Sequence, residues 1–365
     1  MNLAAAAKLY DLPFEGAWVT SVCFLGGTRR VVAGNRNGEM FLWALPEKAD
    51  ETPPQPVRKL AGHSNEVTRL IATADGKTLF SASFDRSIGI WDPAAPASGT
   101  EQVTIDAEAQ AARAKEKKQP APKELAKVEV EVLQPVHKLE GHADWIKAMV
   151  LSRDEKLLVS GDDGGIVIVW DVAARKELGR FQVGGWVAAL ALSPDNQRLF
   201  ISESVPRDFD ERYNAQKIRE TLTGNVVLDL EADKASPLKK FVTGAAAWSP
   251  DGKLLALGRE GEADGTILLV DPDSGKLVRE IKPAHQYGVT ALGFSEDGAH
   301  LISTGRDTTL KVWTAADGKK VAELGKPRGG QFKDWLHAFD LSREQNLLAA
   351  ADMAGLVTVW SLAAR

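Results

Sequence analysis

The sequence predicts an all-β fold built from seven repeats, because a turn phrase and a strand phrase each occur seven times in alternation. The turn phrase is an acidic or glycine-containing turn between apolar segments. Its copies are FLGGTRRVV from Phe24, ATADGKTLF from Ala72, LSRDEKLLV from Leu151, LSPDNQRLF from Leu192, WSPDGKLLA from Trp248, FSEDGAHLI from Phe294 and LSREQNLLA from Leu341. Asp-Gly between apolar segments is a strong hairpin signal, since glycine adopts the positive φ that such turns need. Each copy therefore predicts a strand, a turn and a second strand.

The strand phrase that follows each turn alternates in polarity and ends in Trp or an aliphatic residue. These strands are GEMFLWAL from Gly38, SIGIWDP from Ser87, GIVIVWDV from Gly165, GNVVLDL from Gly224, GTILLVDP from Gly265, TTLKVWTA from Thr308 and GLVTVWSL from Gly355. Several repeat intervals are close to the ~40–45 residues of a four-stranded propeller blade. The expected architecture is a seven-bladed β-propeller of four-stranded antiparallel blades. It forms a single domain over residues 1–365, with insertions at about 93–135 and 204–223.

Composition narrows the classes of function. The formal net charge is −5 and no run of like charge stands out, so nucleic-acid binding is not expected. The single cysteine, Cys23, lies in an apolar run and is expected to be a buried thiol in a reducing compartment. No stretch reaches the ~18–20 apolar residues of a membrane span, so none is expected. A cytoplasmic location is the default, although an export signal already removed would leave no trace.

Paired signatures mark three of the repeats. Gly62-His63 leads to Trp91-Asp92, Gly141-His142 leads to Trp170-Asp171, and the weaker Ala284-His285 leads to Trp313-Thr314. In these pairs, and from about Lys8 to Arg365 in its repeat pattern, the sequence resembles the WD-repeat family of seven-bladed propellers. Such a resemblance specifies a fold far better than a function.

The resemblance implies a buried hydrogen-bond network of His, Ser, Asp and Trp in well-formed blades. The second repeat offers His63, Ser81, Asp85 and Trp91, and the sixth offers His285, Ser303, Asp307 and Trp313. The third has His142, Ser160 and Trp170, but Gly164 stands at the usual Asp position and Asp163 precedes it. The repeats without these residues are expected to depend on apolar packing alone. The resemblance also implies that Lys8–Leu12 supplies the missing outer strand of the last blade, beside Gly355–Leu362, and so closes the ring.

Four tryptophans share one position, directly before the first apolar residue of a blade's inner strand: Trp18, Trp145, Trp186 and Trp335. In the family this position lies on the narrow top face, near the mouth of the central channel. Four indoles there would form an aromatic collar suited to binding, or would simply pack on neighbouring loops. The predicted partner-binding set is completed by Glu66, Phe84, Arg306, Phe209 and Tyr213. In the fifth repeat the register is too blurred to assign this position.

The two insertions are predicted to have different structures. Residues 204–223 read as a loop between the second and third strands of the fourth blade, overhanging the collar, where Phe209 and Tyr213 lie among charges of both signs. Residues 93–135 leave from the opposite face, and their middle, 105–132, is predicted to be a short solvated helix or a disordered flap, with a docking helix as the alternative.

Catalytic residues, a metal site and a cofactor are not expected, because the histidines either fit the structural network or stand alone without ligand spacing. The predicted function is a non-catalytic scaffold that binds a peptide or protein on the top face. Two alternatives stay open: a small-molecule or enzymatic site at the channel mouth, and a purely structural module of a larger assembly. A monomeric propeller within a complex is expected.

Overall fold

The computed structural model describes residues 6–14, 18–47, 53–104, 127–207, 211–233, 236–239, 241–325 and 335–362. All regular structure in these ranges is β-strand, and they contain no helix long and apolar enough to cross a membrane. The chain forms two compact units. The first comprises Met1–Ser81, Ile88–Lys138 and His337–Arg365, and the second comprises Ala82–Ser87 and Leu139–Leu336.

The first unit contains a four-stranded and a six-stranded sheet, and it supplies most of a second four-stranded sheet. The last strands of the chain form one sheet with the first strand, in the order β1 (Ala7–Pro13), β28 (Leu356–Ser361), β27 (Leu347–Asp352) and β26 (Leu336–Ser342). The six-stranded sheet has the order β2 (Val19–Leu25), β3 (Arg30–Asn35), β4 (Met40–Ala44), β5 (Pro56–Leu60), β10 (Lys127–Leu133) and β9 (Gly99–Thr104). The other sheet has the order β11 (His137–Glu140), β8 (Ser87–Trp91), β7 (Leu79–Ser83) and β6 (Val67–Ala72).

The second unit contains two four-stranded sheets and one six-stranded sheet. The first is β12 (Ile146–Leu151), β13 (Leu157–Asp162), β14 (Ile166–Asp171) and β15 (Lys176–Gln182). The next is β16 (Trp186–Leu192), β17 (Arg198–Arg207), β18 (Glu211–Glu220) and β19 (Val226–Asp229). The six-stranded sheet is β20 (Thr243–Trp248), β21 (Leu255–Val270), β22 (Leu277–Phe294), β23 (His300–Gly305), β24 (Thr309–Thr314) and β25 (Lys320–Gly325). The long β21 and β22 each join segments that the repeat pattern separates.

The recurrent turns adopt the backbone conformation that the sequence predicts. Four of the seven turns place glycine at positive φ, namely Gly27, Gly76, Gly252 and Gly298. The other three place a non-glycine residue there: Glu155 at φ 57°, Asn196 at φ 63° and Asn346 at φ 50°. Asparagine tolerates this region better than most residues, whereas a glutamate there is strained. The turn geometry is therefore kept even where the Asp-Gly pair is lost.

The first described strand pairs with the last. β1 lies antiparallel to β28, with Ala7 opposite Ser361 and Leu12 opposite Val357. The pairing buries Tyr10 and Leu12 in a core cluster that also includes Trp43. The strand predicted for residues 8–12 therefore forms, and it pairs within the predicted segment Gly355–Leu362.

The prediction of a loop at 204–223 is wrong. β17 and β18, of ten residues each, form an antiparallel hairpin, with Arg198 opposite Glu220 and Arg207 opposite Glu211. The strand predicted as third, at Gly224, contains β19, which is the fourth strand of this sheet. The pairing buries Ala215 and Ile218 together with the polar Gln216 and Arg219, so this strand has no apolar alternation that the sequence could reveal.

In the insertion at 93–135, the helix or flap predicted for 105–132 is wrong over 127–132, where β10 forms. The ends of the insertion are strands: β9 pairs antiparallel with β10, and β10 runs parallel to β5. Val103 and Val130 are buried in the core of the first unit. The insertion therefore extends a sheet to six strands. Its middle, 105–126, lies outside the described residues.

Apolar packing alone does not hold the fourth repeat, contrary to expectation. Glu203 and Arg219 form a buried salt bridge of 2.6 Å, with side chains 2% and 11% exposed. Each ion also meets the backbone: Glu203 accepts the Gly184 N–H and Arg219 donates to the Gly224 carbonyl, both at 2.9 Å. A buried pair is tolerated only when such extra bonds satisfy it. This repeat has replaced the His-containing network with a different polar one.

Candidate functional site

In four of the repeats, two positions meet at one end of the first two strands. The leading position is the residue directly before the first buried residue of the first strand. The trailing position follows or ends the second strand. The carbonyl of Trp18 accepts the N–H of Arg36, and that of Trp145 accepts the N–H of Asp163, both at 3.0 Å. The same bond joins Val242 to Glu260 at 2.8 Å and Gly288 to Arg306 at 3.2 Å. The fold thus places one leading and one trailing side chain together in repeat after repeat.

Three of the four predicted tryptophans are exposed. The exposed fraction is 37% for Trp18, 48% for Trp145 and 41% for Trp186, and Trp335 is half-buried. Each precedes or begins a strand whose next residue is buried, so the backbone alternation turns the indole away from the core. A single exposed apolar residue is normal, whereas exposed apolar residues that form a contiguous patch mark an interaction site.

Every one of these indoles packs one face on a neighbouring side chain. The guanidinium of Arg36 lies 4.4 Å from the Trp18 ring centroid, and that of Arg306 lies 4.3 Å from Trp335. The ammonium of Lys147 lies 5.1 Å from the Trp186 ring. Cation–π contacts of this kind contribute about 0.5–1 kcal/mol at exposed sites. The rings are therefore oriented before any ligand arrives.

Trp145 is stacked on another aromatic ring. Its ring centroid lies 4.9 Å from that of Phe84, with 18° between the planes. Phe84 is half-buried. The pair therefore presents one continuous aromatic surface, and the two predicted residues belong to the same cluster.

The remaining predicted residues have mixed outcomes. Glu66 is half-buried at the leading position, and its N–H donates to Asn65 Oδ1 at 2.8 Å. Arg306 forms a 3.0 Å salt bridge with Glu260. Phe209 lies outside the described residues. Tyr213 is described only in its backbone, where it pairs with Val205.

Sequence reasoning missed several members of these positions. Arg36, Asp163 and Glu260 occupy trailing positions, and Lys147 lies in β12, two residues after the leading Trp145. Charged residues next to strand ends carry no signal of their own. Lys147 Nζ lies 3.0 Å from Asp163 Oδ2. Burial raises the pKa of Asp163 despite that partner. Tyr287, with a positive φ of 66° and 37% exposed, places an aromatic ring one residue before the leading Gly288.

The structure resolves the blurred register of the fifth repeat. Thr243 opens β20 opposite Arg259, with an irregularity before Ala245, as Val19 does before Ser21 in the first repeat. The leading residue is therefore Val242. In this repeat the first buried residue of the strand is the polar Thr243, whose hydroxyl donates to Gln216 Oε1 at 2.9 Å. A search for apolar residues could not find this strand start, because Thr243 stands where an apolar residue was expected.

The His–Ser–Trp groups are internal. In the third repeat, Trp170 Nε1–H donates to Ser160 Oγ at 2.8 Å, and His142 Nε2 lies 2.7 Å from the same oxygen. When His142 donates its Nδ1–H to Asp162, its Nε2 accepts the Ser160 hydroxyl proton. Ser81, Ser160 and Ser303 are all fully buried. A serine enclosed in this way cannot meet a substrate.

The acid of this network in the third repeat is Asp162, not Asp163. His142 Nδ1 lies 2.7 Å from Asp162 Oδ2, and the other carboxylate oxygen accepts the Ile166 N–H at 2.8 Å. Burial is the largest single effect on the pKa of Asp162 and raises it, but the hydrogen bonds from His142 and from backbone N–H groups, with the charge of His142, together lower the pKa. Side chains alternate along the strand, so Asp163 points to Lys147 instead. The sixth repeat matches expectation, with His285 Nδ1 2.9 Å from Asp307 Oδ1.

The second repeat shares the Ser-centred part of the network. His63 Nε2 lies 2.6 Å from Ser81 Oγ, which accepts the Trp91 indole N–H at 2.8 Å. Asp85 Oδ1 accepts the Ser87 N–H and hydroxyl at 3.0 and 2.7 Å. In the described ranges, no group of three or more His, Cys, Asp or Glu residues could hold a metal ion.

Repeated four-stranded antiparallel sheets with internal His–Ser–Trp networks define an all-β repeat protein. Comparison with known families agrees: residues 54–92, 133–171 and 275–314 match the model of the WD domain, G-beta repeat. These segments contain the three signature pairs. The chain therefore contains three segments that match the WD repeat.

Curated relatives share parts of the chain. Actin-interacting protein 1 of Drosophila melanogaster is 28% identical over 203 residues, 46% of this chain and 33% of its own length. Transcription factor unc-37 of Caenorhabditis elegans is 28% identical over 194 residues, 50% of this chain and 29% of its own length. The small ribosomal subunit protein RACK1z of Oryza sativa subsp. japonica is 28% identical over 130 residues, 35% of each chain. The matched region thus spans about a third of these relatives.

Proposed function

We propose that this chain is a non-catalytic scaffold that holds a peptide or protein partner on its leading and trailing positions. We infer further that its sheets form the seven blades of a ring closed by β1, with these positions on one face. The repeat count, the β1–β28 pairing and the family support that architecture.

The observation that carries the proposal is the Trp145–Phe84 stack. Trp145 is 48% exposed yet held in one orientation by an aromatic contact of 4.9 Å. A side chain that is both apolar and immobilised loses little conformational entropy on binding. Tryptophan is also the residue type most enriched among interface hot spots.

The surroundings of the rings suit a partner with both polar and apolar groups. Arg36, Lys147 and Arg306 bring positive charge against the indoles. Asp163 and Glu260 bring carboxylates within 3.0 Å of two of these cations. Charges of both signs around an aromatic centre give orientation and specificity more than raw affinity.

The names of two relatives are in keeping with this role. One is described as actin-interacting and another as a transcription factor. Neither partner is assigned to this chain. What supports a binding role here is the exposed, oriented aromatic cluster.

Replacing Trp145 and Trp186 together with Ala tests the proposal. Because both rings are more than two-fifths exposed, the fold should survive, with a melting temperature close to that of the unaltered protein. Partner capture should fall at least tenfold, since truncating an interface anchor costs about 2 kcal/mol or more. Captured proteins would be quantified by mass spectrometry, and the affinity of the main one measured with purified components.

The matched control is Leu178→Ala with Val227→Ala. These side chains are 51% and 53% exposed, lie in the same unit and are far from the leading positions in their strands. Capture should be unchanged in this variant. Normal capture by the tryptophan variant would show that the partner binds elsewhere.

A further inference from the structure

Two exposed tryptophans of the second unit belong to one aromatic cluster. Trp145 stands directly before β12, and Trp186 is the first residue of β16. Lys147 lies two residues after Trp145 in the chain, and its ammonium is 5.1 Å from the Trp186 ring. Phe84 stacks on Trp145 with 4.9 Å between the ring centroids. The aromatic cluster is therefore Phe84, Trp145 and Trp186, with Lys147 linking the two indoles.

The cation in this cluster is already paired inside the protein. Lys147 Nζ lies 3.0 Å from Asp163 Oδ2, and the two side chains are 35% and 11% exposed. Recognition of acidic or phosphorylated peptides relies on clusters of cations that are free to meet the partner's charge. A single lysine that is bound to a carboxylate and to an indole does not provide this. The cluster therefore does not favour an acidic or a phosphorylated partner.

The main chain of the cluster is also engaged. The Trp145 carbonyl accepts the Asp163 N–H at 3.0 Å, and the Trp145 N–H donates to Asp144 Oδ1 at 2.8 Å. Trp186 pairs with Ser204 in the β16–β17 ladder. A partner strand that extends a sheet needs main-chain donors and acceptors that are still free. The cluster therefore favours recognition through its side chains.

The chemistry left to a partner consists of two indole N–H groups and the open ring faces. Neither indole nitrogen forms a hydrogen bond with another described residue, and the side chains of Trp145 and Trp186 are 48% and 41% exposed. Because an indole N–H only donates, the partner must supply acceptors next to apolar surface. A polyproline II helix supplies both, since its backbone carbonyls are unpaired and its prolines carry no N–H. Its conformation is also preformed, so binding orders little of the partner.

We propose that the aromatic cluster binds a proline-rich segment of the partner in the polyproline II conformation. This inference rests on the proposed function and specifies the partner's chemistry. In such a segment, residues three positions apart project from the same side, about 9 Å apart. One proline packs on each indole, and neighbouring carbonyls accept the two indole N–H groups.

The test titrates the full chain with a capped decaproline peptide in a calorimeter. Saturable binding is expected, and a capped peptide of glycine and serine of equal length should bind at least tenfold more weakly. Trp145→Ala with Trp186→Ala should weaken decaproline binding at least tenfold, whereas the control, Leu178→Ala with Val227→Ala, should change it less than twofold. Absence of saturable binding, or equal weakening in the two variants, would overturn the proposal.

Trp145→Phe with Trp186→Phe tests the hydrogen bonds separately from the rings. This variant keeps two aromatic rings and removes both indole N–H groups, so decaproline affinity should fall several-fold at an unchanged melting temperature. Unchanged affinity would contradict the role given to the N–H groups. Raising the salt concentration from about 0.05 M to about 0.5 M should change the affinity less than twofold, because the neighbouring cation is paired. A tenfold loss would assign the binding to charge and overturn the proposal.

Failure of this inference is distinguishable from failure of the proposed function. Lost partner capture by Trp145→Ala with Trp186→Ala, without decaproline binding to the unaltered chain, would leave the proposed function standing and refute the proline-rich segment. Normal capture by that variant, without decaproline binding to the unaltered chain, would contradict both.

Discussion

Ser160 is the residue whose removal most directly tests the buried network. Its hydroxyl accepts the Trp170 indole N–H at 2.8 Å and meets His142 Nε2 at 2.7 Å. Ser160→Ala would leave both groups without that partner inside the protein. A stranded buried polar group costs about 1–3 kcal/mol. Because the two losses share one site and are not additive, we expect a destabilisation of about 2–4 kcal/mol.

Guanidinium unfolding followed by tryptophan fluorescence and by far-ultraviolet circular dichroism measures this loss. Coincident curves are needed, since a free energy of unfolding is defined only for a two-state transition. The control is Ser274→Ala, an exposed turn serine, which should stay within about 0.5 kcal/mol. A loss below about 0.5 kcal/mol for Ser160→Ala would refute the network reasoning. Unchanged stability together with a lost hydrolytic activity would instead make Ser160 a catalytic residue.

Three further changes have definite expected outcomes. Ala33→Ser supplies an oxygen near the buried Trp43 indole N–H, which has no hydrogen-bond partner, at the spacing of Ser160 from Trp170; thermal melting should show a gain of about 0.5–1 kcal/mol, and a loss would mean the hydroxyl does not fit. Burial raises the pKa of Asp340 to about 6, so its contribution to stability is full below about pH 4 and is lost as the pH rises through 6. Asp340→Asn should therefore be more stable than the unaltered protein by up to about 3 kcal/mol at pH 7.5, with no advantage at pH 4; an advantage independent of pH would exclude this cause. Deleting residues 1–12 removes the buried Tyr10 and Leu12, each worth about 2–5 kcal/mol, so the first unit should melt well below its normal temperature; equal melting curves would show that β1 is dispensable.

Local residue patterns were enough to predict most of the strands. Apolar alternation and turn residues depend on neighbours within a few positions, so both can be recognised in a single sequence. The turn at Asn196, with its positive φ, is of this kind. The pairing of β1 with β28 joins distant residues and was expected from the resemblance to WD repeats instead. The leading tryptophans were found in the same way, because each stands directly before a buried strand residue.

Other features required the tertiary structure. Whether Asp162 or Asp163 meets His142 depends on which side of β13 each faces, and a shift of one residue reverses the answer. The buried Glu203–Arg219 pair joins residues from two strands, and neither residue has an apolar neighbour pattern that predicts its burial.

Repeat periodicity and local turn chemistry thus predicted, from the sequence alone, an all-β chain of seven repeats with tryptophan at four of its leading positions. Only the tertiary structure decided that each of those indoles lies against a cation or a second ring, as Trp145 lies on Phe84. It also decided that Lys147 contacts both Trp186 and Asp163. The physical reason is the same in both cases: contacts between side chains of different strands depend on register and on side-chain direction. A linear pattern contains neither.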